Sequence, residues 1–305
     1  MTNDTQEFVK CFHALTDNPP FPWQCKLYEK FTAGDIPSTC SLPTGLGKTS
    51  VIAIWLIARA KRPEKMPRRL VYVVNRRTVV DQTTDEVEKL RENLAKPELK
   101  EFRDQLGLSE KRSLAISTLR GQFADNREWS VDPSRPAVIC GTVDMIGSRL
   151  LFSGYGVGYK GKPLHAGFLG CDALVIHDEA HLEPAFQALL EGIEFEQESC
   201  PNEKGQFRVM ALSATTRSNP AREKQEKPFE LSSADREHSE IVRRIRAVKK
   251  LILTPQSGKL GEQLAATAIA LFKDSGRPVI IFVRLVDDLK LALDCLLYTS
   301  DAADE

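Results

Sequence analysis

Leu42-Pro43-Thr44-Gly45-Leu46-Gly47-Lys48-Thr49 follows the short β-prone run Ser38–Leu42 and opens the apolar helical stretch Ser50–Ala60. A glycine-rich turn between a strand and a helix N-terminus cradles phosphate, because its backbone N–H groups and the helix dipole both favour an anion. In such a loop Gly45 and Gly47 let the backbone approach a polyphosphate, Lys48 reaches the β and γ phosphates, and the Thr49 hydroxyl can ligate Mg²⁺. Thr44 and Leu46 complete the loop. The strict P-loop pattern has glycine where Leu42 stands, which weakens the match. The competing reading is a chance turn before a buried helix, and the flanking strand and helix argue against it.

Outward from this loop the chain alternates short β-rich runs with longer helical stretches. The candidate strands are Ser38–Leu42, Leu70–Val74, Ser113–Thr118, Ala137–Thr142, Ala173–His177, Arg208–Ser213 and Val279–Val283. They are continuous rather than alternating in polarity, as expected of strands buried on both faces of a parallel sheet. Helical stretches such as Ser50–Ala60 and Val79–Leu94 lie between them, giving a βαβ pattern and an α/β fold with a helix-flanked parallel sheet. Right-handed crossovers then bring the strand ends, and any ligand, to one sheet edge. A polar stretch from Thr216 to about Arg246 interrupts the pattern and reads as a linker or insertion.

The chain has 305 residues, 42 Lys plus Arg against 42 Asp plus Glu, 42% hydrophobic and 28% charged residues. That is a globular composition with no global basic field, so a nucleic-acid surface would have to be a local stripe. Seven scattered cysteines without a C-x-x-C pair exclude the usual zinc spacing and suggest reduced thiols in a cytoplasm. The N-terminus lacks the pattern of a signal peptide, and the longest apolar run, Val51–Ala58, is too short to span a bilayer.

Ala173-Leu-Val-Ile-His-Asp178-Glu179-Ala180-His181 is a buried strand ending in two acids, delivered to the P-loop edge of the sheet. There Asp178 would hold Mg²⁺ and Glu179 would orient and deprotonate an attacking water. His181 reads as a relay. An Asp-Glu pair also caps helices, a reading that recedes beside the P-loop. Upstream, in Phe21-Pro22-Trp23-Gln24, the Gln24 amide can pair with adenine N6 and N7, and Phe21 or Trp23 can stack on the base. The alternative for these aromatics is a Pro-kinked apolar entry to the helix Gln24–Phe31.

T-G-x-G-K-T, D-E-A-H and Ser213-Ala214-Thr215, in this order, resemble superfamily 2 helicases and translocases, whose nucleotide-binding domains are RecA-like. The resemblance implies ATP and Mg²⁺ as cofactors, adenine reading by Gln24, and coupling of hydrolysis to strand movement through Ser213 and Thr215. It also places strand contacts at Arg76 and Arg77 in V-V-N-R-R-T, at Arg120 and Gly121 in T-L-R-G-Q, and at Thr142 in G-T-V-D. Hydroxyls, amides and arginines at strand ends suit phosphate contacts, though each arginine reads equally as a solvated surface charge.

Within the superfamily the sequence is most similar to the helicase–nuclease of type I CRISPR systems. The similarity rests on V-V-N-R-R-T-V-V-D-Q at 73–82, T-L-R-G-Q at 118–122, G-T-V-D at 141–144 and I-H-D-E-A-H at 176–181. It implies a motor on single-stranded DNA, a CRISPR effector complex as partner, no membrane, and a metal-dependent HD nuclease elsewhere in the family. Here the only His-Asp dipeptide, His177-Asp178, is already part of the acidic strand, and His13, His165, His181 and His238 show no ligand spacing.

The organisation expected from this reading is an N-terminal segment at 1–20 and a first RecA-like domain at 21–216. A connector or insertion follows at 217–250, then the opening of a second RecA-like domain at 251–294. Residues 295–305, Cys-Leu-Leu-Tyr-Thr-Ser-Asp-Ala-Ala-Asp-Glu, resemble one reading frame of a transposon-derived sequencing adapter and are expected to be a non-native tail, an ordinary helix end being the alternative. A fragment of this kind would bind ATP and turn it over poorly. Two rival functions remain at this stage: another superfamily 2 motor (a restriction translocase or RNA helicase), and an adenine-nucleotide-binding module without turnover.

Overall fold

Six of the expected apolar runs become strands of one parallel sheet, because each finds hydrogen-bonding neighbours on the way through the core. The computed structural model describes residues 3–120, 128–199, 206–213, 227–248 and 250–301. The strands are β1 (Thr39–Ser41), β2 (Arg69–Val74), β3 (Ala115–Leu119), β4 (Ala137–Thr142), β5 (Ala173–Asp178), β6 (Phe207–Ser213) and β7 (Phe229–Glu230). Their order across the sheet is β3-β4-β2-β5-β6-β1-β7, and every pairing is parallel. The acidic strand β5 and the P-loop strand β1 both flank β6, so their C-terminal ends lie on one edge, two strands apart.

The helices are α1 (Asn3–Thr16), α2 (Pro22–Ala33), α3 (Val51–Lys61), α4 (Arg77–Asn93), α5 (Lys100–Gln105), α6 (Glu128–Val131) and α7 (Val143–Leu150), followed by α8 (Lys162–Gly170), α9 (Pro184–Glu198), α10 (Ser233–Glu237), α11 (Ser239–Ile245), α12 (Leu260–Ser275) and α13 (Val286–Asp301). Alternate residues of each central strand serve opposite faces. Leu70, Tyr72, Val74, Leu174 and Ile176 pack with the apolar sides of α1 to α5. Val71, Val73, Ala173 and Val175 pack with Met145, Ile146, Leu169, Phe186 and Leu190 of α7, α8 and α9. The expected two-sided burial is met throughout β2 and β4 and along β5 as far as His177, whereas in β1 Thr39 and Ser41 are only half-buried. Burial also pushes the thiols of Cys40 and Cys140 up to about 12, so these two are inert core fillers.

Two expectations change. The polar stretch after Thr216 is not all linker: its described part adds Phe229–Glu230 as a seventh strand on β1, then α10 and α11. A two-residue strand is too short to leave a periodic signature. Conversely, Val279–Val283 is irregular backbone, not a strand. Its β-branched and aromatic residues suit a strand, but no neighbouring strand pairs with it among the described residues.

The chain divides into two compact units, Met1–Ala247 and Val248–Glu305. In the second, α12 and α13 pack against each other with their N-terminal turns in contact. A Cβ at Gly261 would lie 2.8 Å from the Asp288 carbonyl oxygen, so only glycine allows that approach. Helix α13 continues through Cys295 to Asp301.

Candidate active site

The P-loop leaves β1 through Leu42, whose N–H donates to the Ser213 carbonyl at the end of β6 (3.1 Å). Leu42 and Leu46 are buried, pinning the loop at two points while Thr44, Gly45 and Gly47 stay exposed. Gly45 and Gly47 adopt φ of 80° and 74°, the left-handed region in which a side chain is strained. A 3₁₀ turn over Lys48–Ser50 then feeds α3. Lys48 is only 8% exposed. Among the described residues its ammonium has one ion-pair partner, Glu179 Oε1 at 3.5 Å, and no hydrogen-bond acceptor. A buried ammonium in that state is poised for an anion.

The acids at the end of β5 are held differently from each other. Parity along the strand puts Asp178 on the α3 face, where the buried Tyr72 hydroxyl donates to its Oδ2 at 2.9 Å. Thr49 lies close enough to act on the same phenol, so Tyr72 stands beside both residues expected to face Mg²⁺. Burial raises the Asp178 pKa; the Tyr72 hydrogen bond opposes it, the Glu179 charge adds to it and Lys48 again opposes it. Tyr72 itself is raised far above the ordinary phenol value by burial and by the Asp178 charge, so it stays a donor. Among the described residues no cluster of three His, Cys, Asp or Glu stands ready to hold a metal on its own. Two hard oxygen ligands beside a phosphate site instead fit the Mg²⁺ mode, in which substrate and water complete the shell.

Glu179 turns the chain at φ 51°, a left-handed conformation that strains a non-glycine residue. Its N–H donates to Asp178 Oδ1 at 3.0 Å. The turn leaves its carboxylate between Lys48 and His181, whose Nδ1 is 3.4 Å from Glu179 Oε2. His181 Nδ1 is in turn 3.2 Å from Ser213 Oγ. Lys48, Glu179, His181 and Ser213 thus form one contact chain crossing three strands. His177 faces away into the second core, its Nδ1 2.8 Å from Gln187 Oε1. Thr215 lies outside the described residues.

Gln24 is buried, accepting the Phe21 N–H at Oε1 (2.7 Å) and donating from Nε2 to Ser50 Oγ (2.7 Å). It ties α2 to the P-loop helix, and one N–H and one lone pair of the amide remain for a base edge. Trp23 is 1% exposed and belongs to the core, which removes it as a stacking surface. Phe21 alone lines the cleft, which measures about 800 Å³ and also takes in Gln24, Gly47, Thr49, Asp178, His238 and Arg244. Sequence reasoning missed Tyr72, His238 and Arg244. Tyr72 had a signal, as the one hydroxyl in Leu-Val-Tyr-Val-Val; the other two carry none, since only folding brings them beside Phe21.

The expected strand contacts are placed unevenly. Arg76 and Arg77 are exposed where β2 gives way to α4. Thr142 is buried at the end of β4, in the N-cap position of α7. Arg120 pairs with Asp81 of α4. Gly121 lies outside the described residues.

A family model described as DEAD/DEAH box helicase matches residues 21–223, more than half of the chain. No curated protein matches. Among solved structures, the DUF1998 helicase MrfA bound to DNA and AMPPNP aligns with a TM-score of 0.58 at 13% identity, over 97% of this chain and 38% of MrfA. The helicase domain of Pyrococcus furiosus Hef aligns at 0.44 and 18% identity, over 93% of this chain and 54% of that one. A Saccharomyces cerevisiae Dbp5 variant bound to a Gle1 variant and IP6 aligns at 0.48 and 13%, over 98% and 64%. The chain spans less than two thirds of the length of each, and at 13% identity the likeness to MrfA is one of fold. No helix among the described residues is long and apolar enough to cross a membrane. Taken with the P-loop and the acidic strand end, the match over residues 21–223 shows that this chain belongs to the DEAD/DEAH box helicase family.

Proposed function

We propose that the chain is the ATP-binding and ATP-hydrolysing core of a nucleic-acid motor. The observation that carries this reading is the contact chain from Lys48 through Glu179 and His181 to Ser213. It joins a buried, acceptor-less ammonium at the P-loop to the strand end read as the coupling element. In this reading Lys48 and the Gly45–Gly47 backbone hold the phosphates, and Gln24 reads adenine above Phe21. Thr49 and Asp178, beside Tyr72, would hold Mg²⁺, which neutralises charge on the phosphoryl group. Glu179 accepts the proton of the attacking water. His181 and Ser213 transmit the state of that carboxylate to the end of β6.

The substrate we propose is single-stranded DNA, contacted at Arg76, Arg77, Arg120, Gly121 and Thr142, with CRISPR interference as the setting and an effector complex as partner. The motifs at 73–82, 118–122, 141–144 and 176–181 support that setting. Support for a nucleotide and a nucleic acid also comes from MrfA, solved with AMPPNP and DNA. Steady-state phosphate release, measured alone, with single-stranded DNA and with single-stranded RNA, is the test. Stimulation by DNA above RNA is expected, and Glu179→Gln should abolish turnover while keeping ATP binding. Stimulation by RNA alone would favour an RNA helicase, and binding without turnover an adenine-nucleotide module.

A further inference from the structure

The segment after β6 comes back to the nucleotide cleft. β7 lies beside β1 with Cys40 opposite Phe229 and Ser41 opposite Glu230, and α10 and α11 follow it. From α11, Arg244 Nη1 donates a 2.6 Å hydrogen bond to the Gly45 carbonyl, in the middle of the P-loop. The same guanidinium stands over the Phe21 ring, 5.5 Å from its centroid. His238, between α10 and α11, meets that ring edge-on at 5.4 Å, and its Nδ1 is buried without a hydrogen-bond partner. Phe21, His238 and Arg244 line one cleft with Gln24, Thr49 and Asp178.

We propose that Arg244 is a nucleotide-binding residue, supplied by this returning arm, that closes over a purine nucleotide held by the P-loop and Phe21. This rests on the ATP reading above. Two stacked contacts of about 3.5 Å each would need about 7 Å, so no base fits between Phe21 and a guanidinium 5.5 Å away. Nucleotide entry therefore moves Arg244, which gives up the Gly45 carbonyl. Its planar fork then covers the outer face of the base and turns a donor to the phosphates, two contacts that arginine makes at once and lysine does not. Arg244 lies three residues before Ala247, the last residue of the first unit. A purely structural tie would instead affect the hold of the arm and be indifferent to nucleotide.

The test titrates N-methylanthraniloyl-ATP and -ADP into the intact chain, wild type and variants, following fluorescence. Arg244→Ala should bind both roughly tenfold more weakly, and Arg244→Lys should recover little of that loss. Combined with Phe21→Ala, the losses should be less than additive, since both residues act on one base. Thermal unfolding without nucleotide should move by no more than about 2 °C in Arg244→Ala, because the side chain is exposed. An Arg244→Ala chain that binds as tightly as wild type, or more tightly, overturns the inference while leaving the ATP reading intact. Failure of the wild type itself to bind would overturn both.

Discussion

Leu70-Val-Tyr-Val-Val74 and Val279-Ile-Ile-Phe-Val283 are nearly interchangeable as sequences, five apolar residues of high β propensity. The first is a central strand, paired to β4 on one side and β5 on the other, with all five residues buried. The second is irregular, with Ile280 76% and Phe282 87% exposed. Local preference is the same in both, so partners decide. In the first unit each strand meets neighbours whose backbone groups and apolar faces await it; among the described residues of the second unit no strand does. The nucleotide cleft belongs wholly to the unit in which that condition is met.

Hydrogen exchange should separate the two runs most widely. Amides of Leu70–Val74 should open only with the whole sheet and exchange at least about a thousandfold more slowly than those of 279–283. Equal protection would mean that 279–283 pairs with a strand after all. Paired charge substitutions sharpen the same contrast. Val71→Asp places an unpaired carboxylate in a fully buried site and should cost more than about 4 kcal/mol, seen as loss of folded protein. Phe282→Asp, at an 87% exposed side chain, should shift unfolding by less than about 0.5 kcal/mol.

Within the sheet, Tyr72→Phe tests whether strand packing also sets the chemistry. The ring still fills the core, so stability should change by about 1 kcal/mol, while Mg²⁺-dependent ATP hydrolysis falls roughly tenfold as Asp178 loses its hydrogen-bond donor. Unchanged hydrolysis at matched Mg²⁺ would deny Tyr72 that positioning role. The smallest expected effect is at Arg120, whose pairing with Asp81 is partly exposed. Arg120→Ala should alter stability by less than about 0.5 kcal/mol. If Arg120 contacts a strand phosphate, the salt slope of DNA binding should also fall by about 1.

The same contrast explains what could be read beforehand. Strands β2, β4 and β5 were legible because two-sided burial leaves continuous apolar runs, and the P-loop and acids were legible because their chemistry requires fixed spacing. Trp23 was misplaced as a possible stacking surface, since an aromatic before a helix reads the same whether its ring faces a cleft or the core. Phe229–Glu230 escaped notice because two residues carry no period. Arg244 could not be foreseen at all: it meets Gly45 across 199 residues of sequence. Long-range contacts of this kind exist only once the sheet has been assembled.

The central claim is that the edge shared by β1, β6 and β5 is a nucleotide site organised around Lys48. Lys48 is buried and, among the described residues, its ammonium has Glu179 as its one ion-pair partner, 3.5 Å away, and no hydrogen-bond acceptor, so the site holds a cation ready for an added anion. Calorimetric titration of ATP with Mg²⁺ into the wild-type chain and Lys48→Ala tests this directly. The account predicts saturable binding by wild type and binding at least about a hundredfold weaker in the variant, since a charge contact with a triphosphate is lost where water is partly excluded. Equal dissociation constants for the two proteins would contradict it.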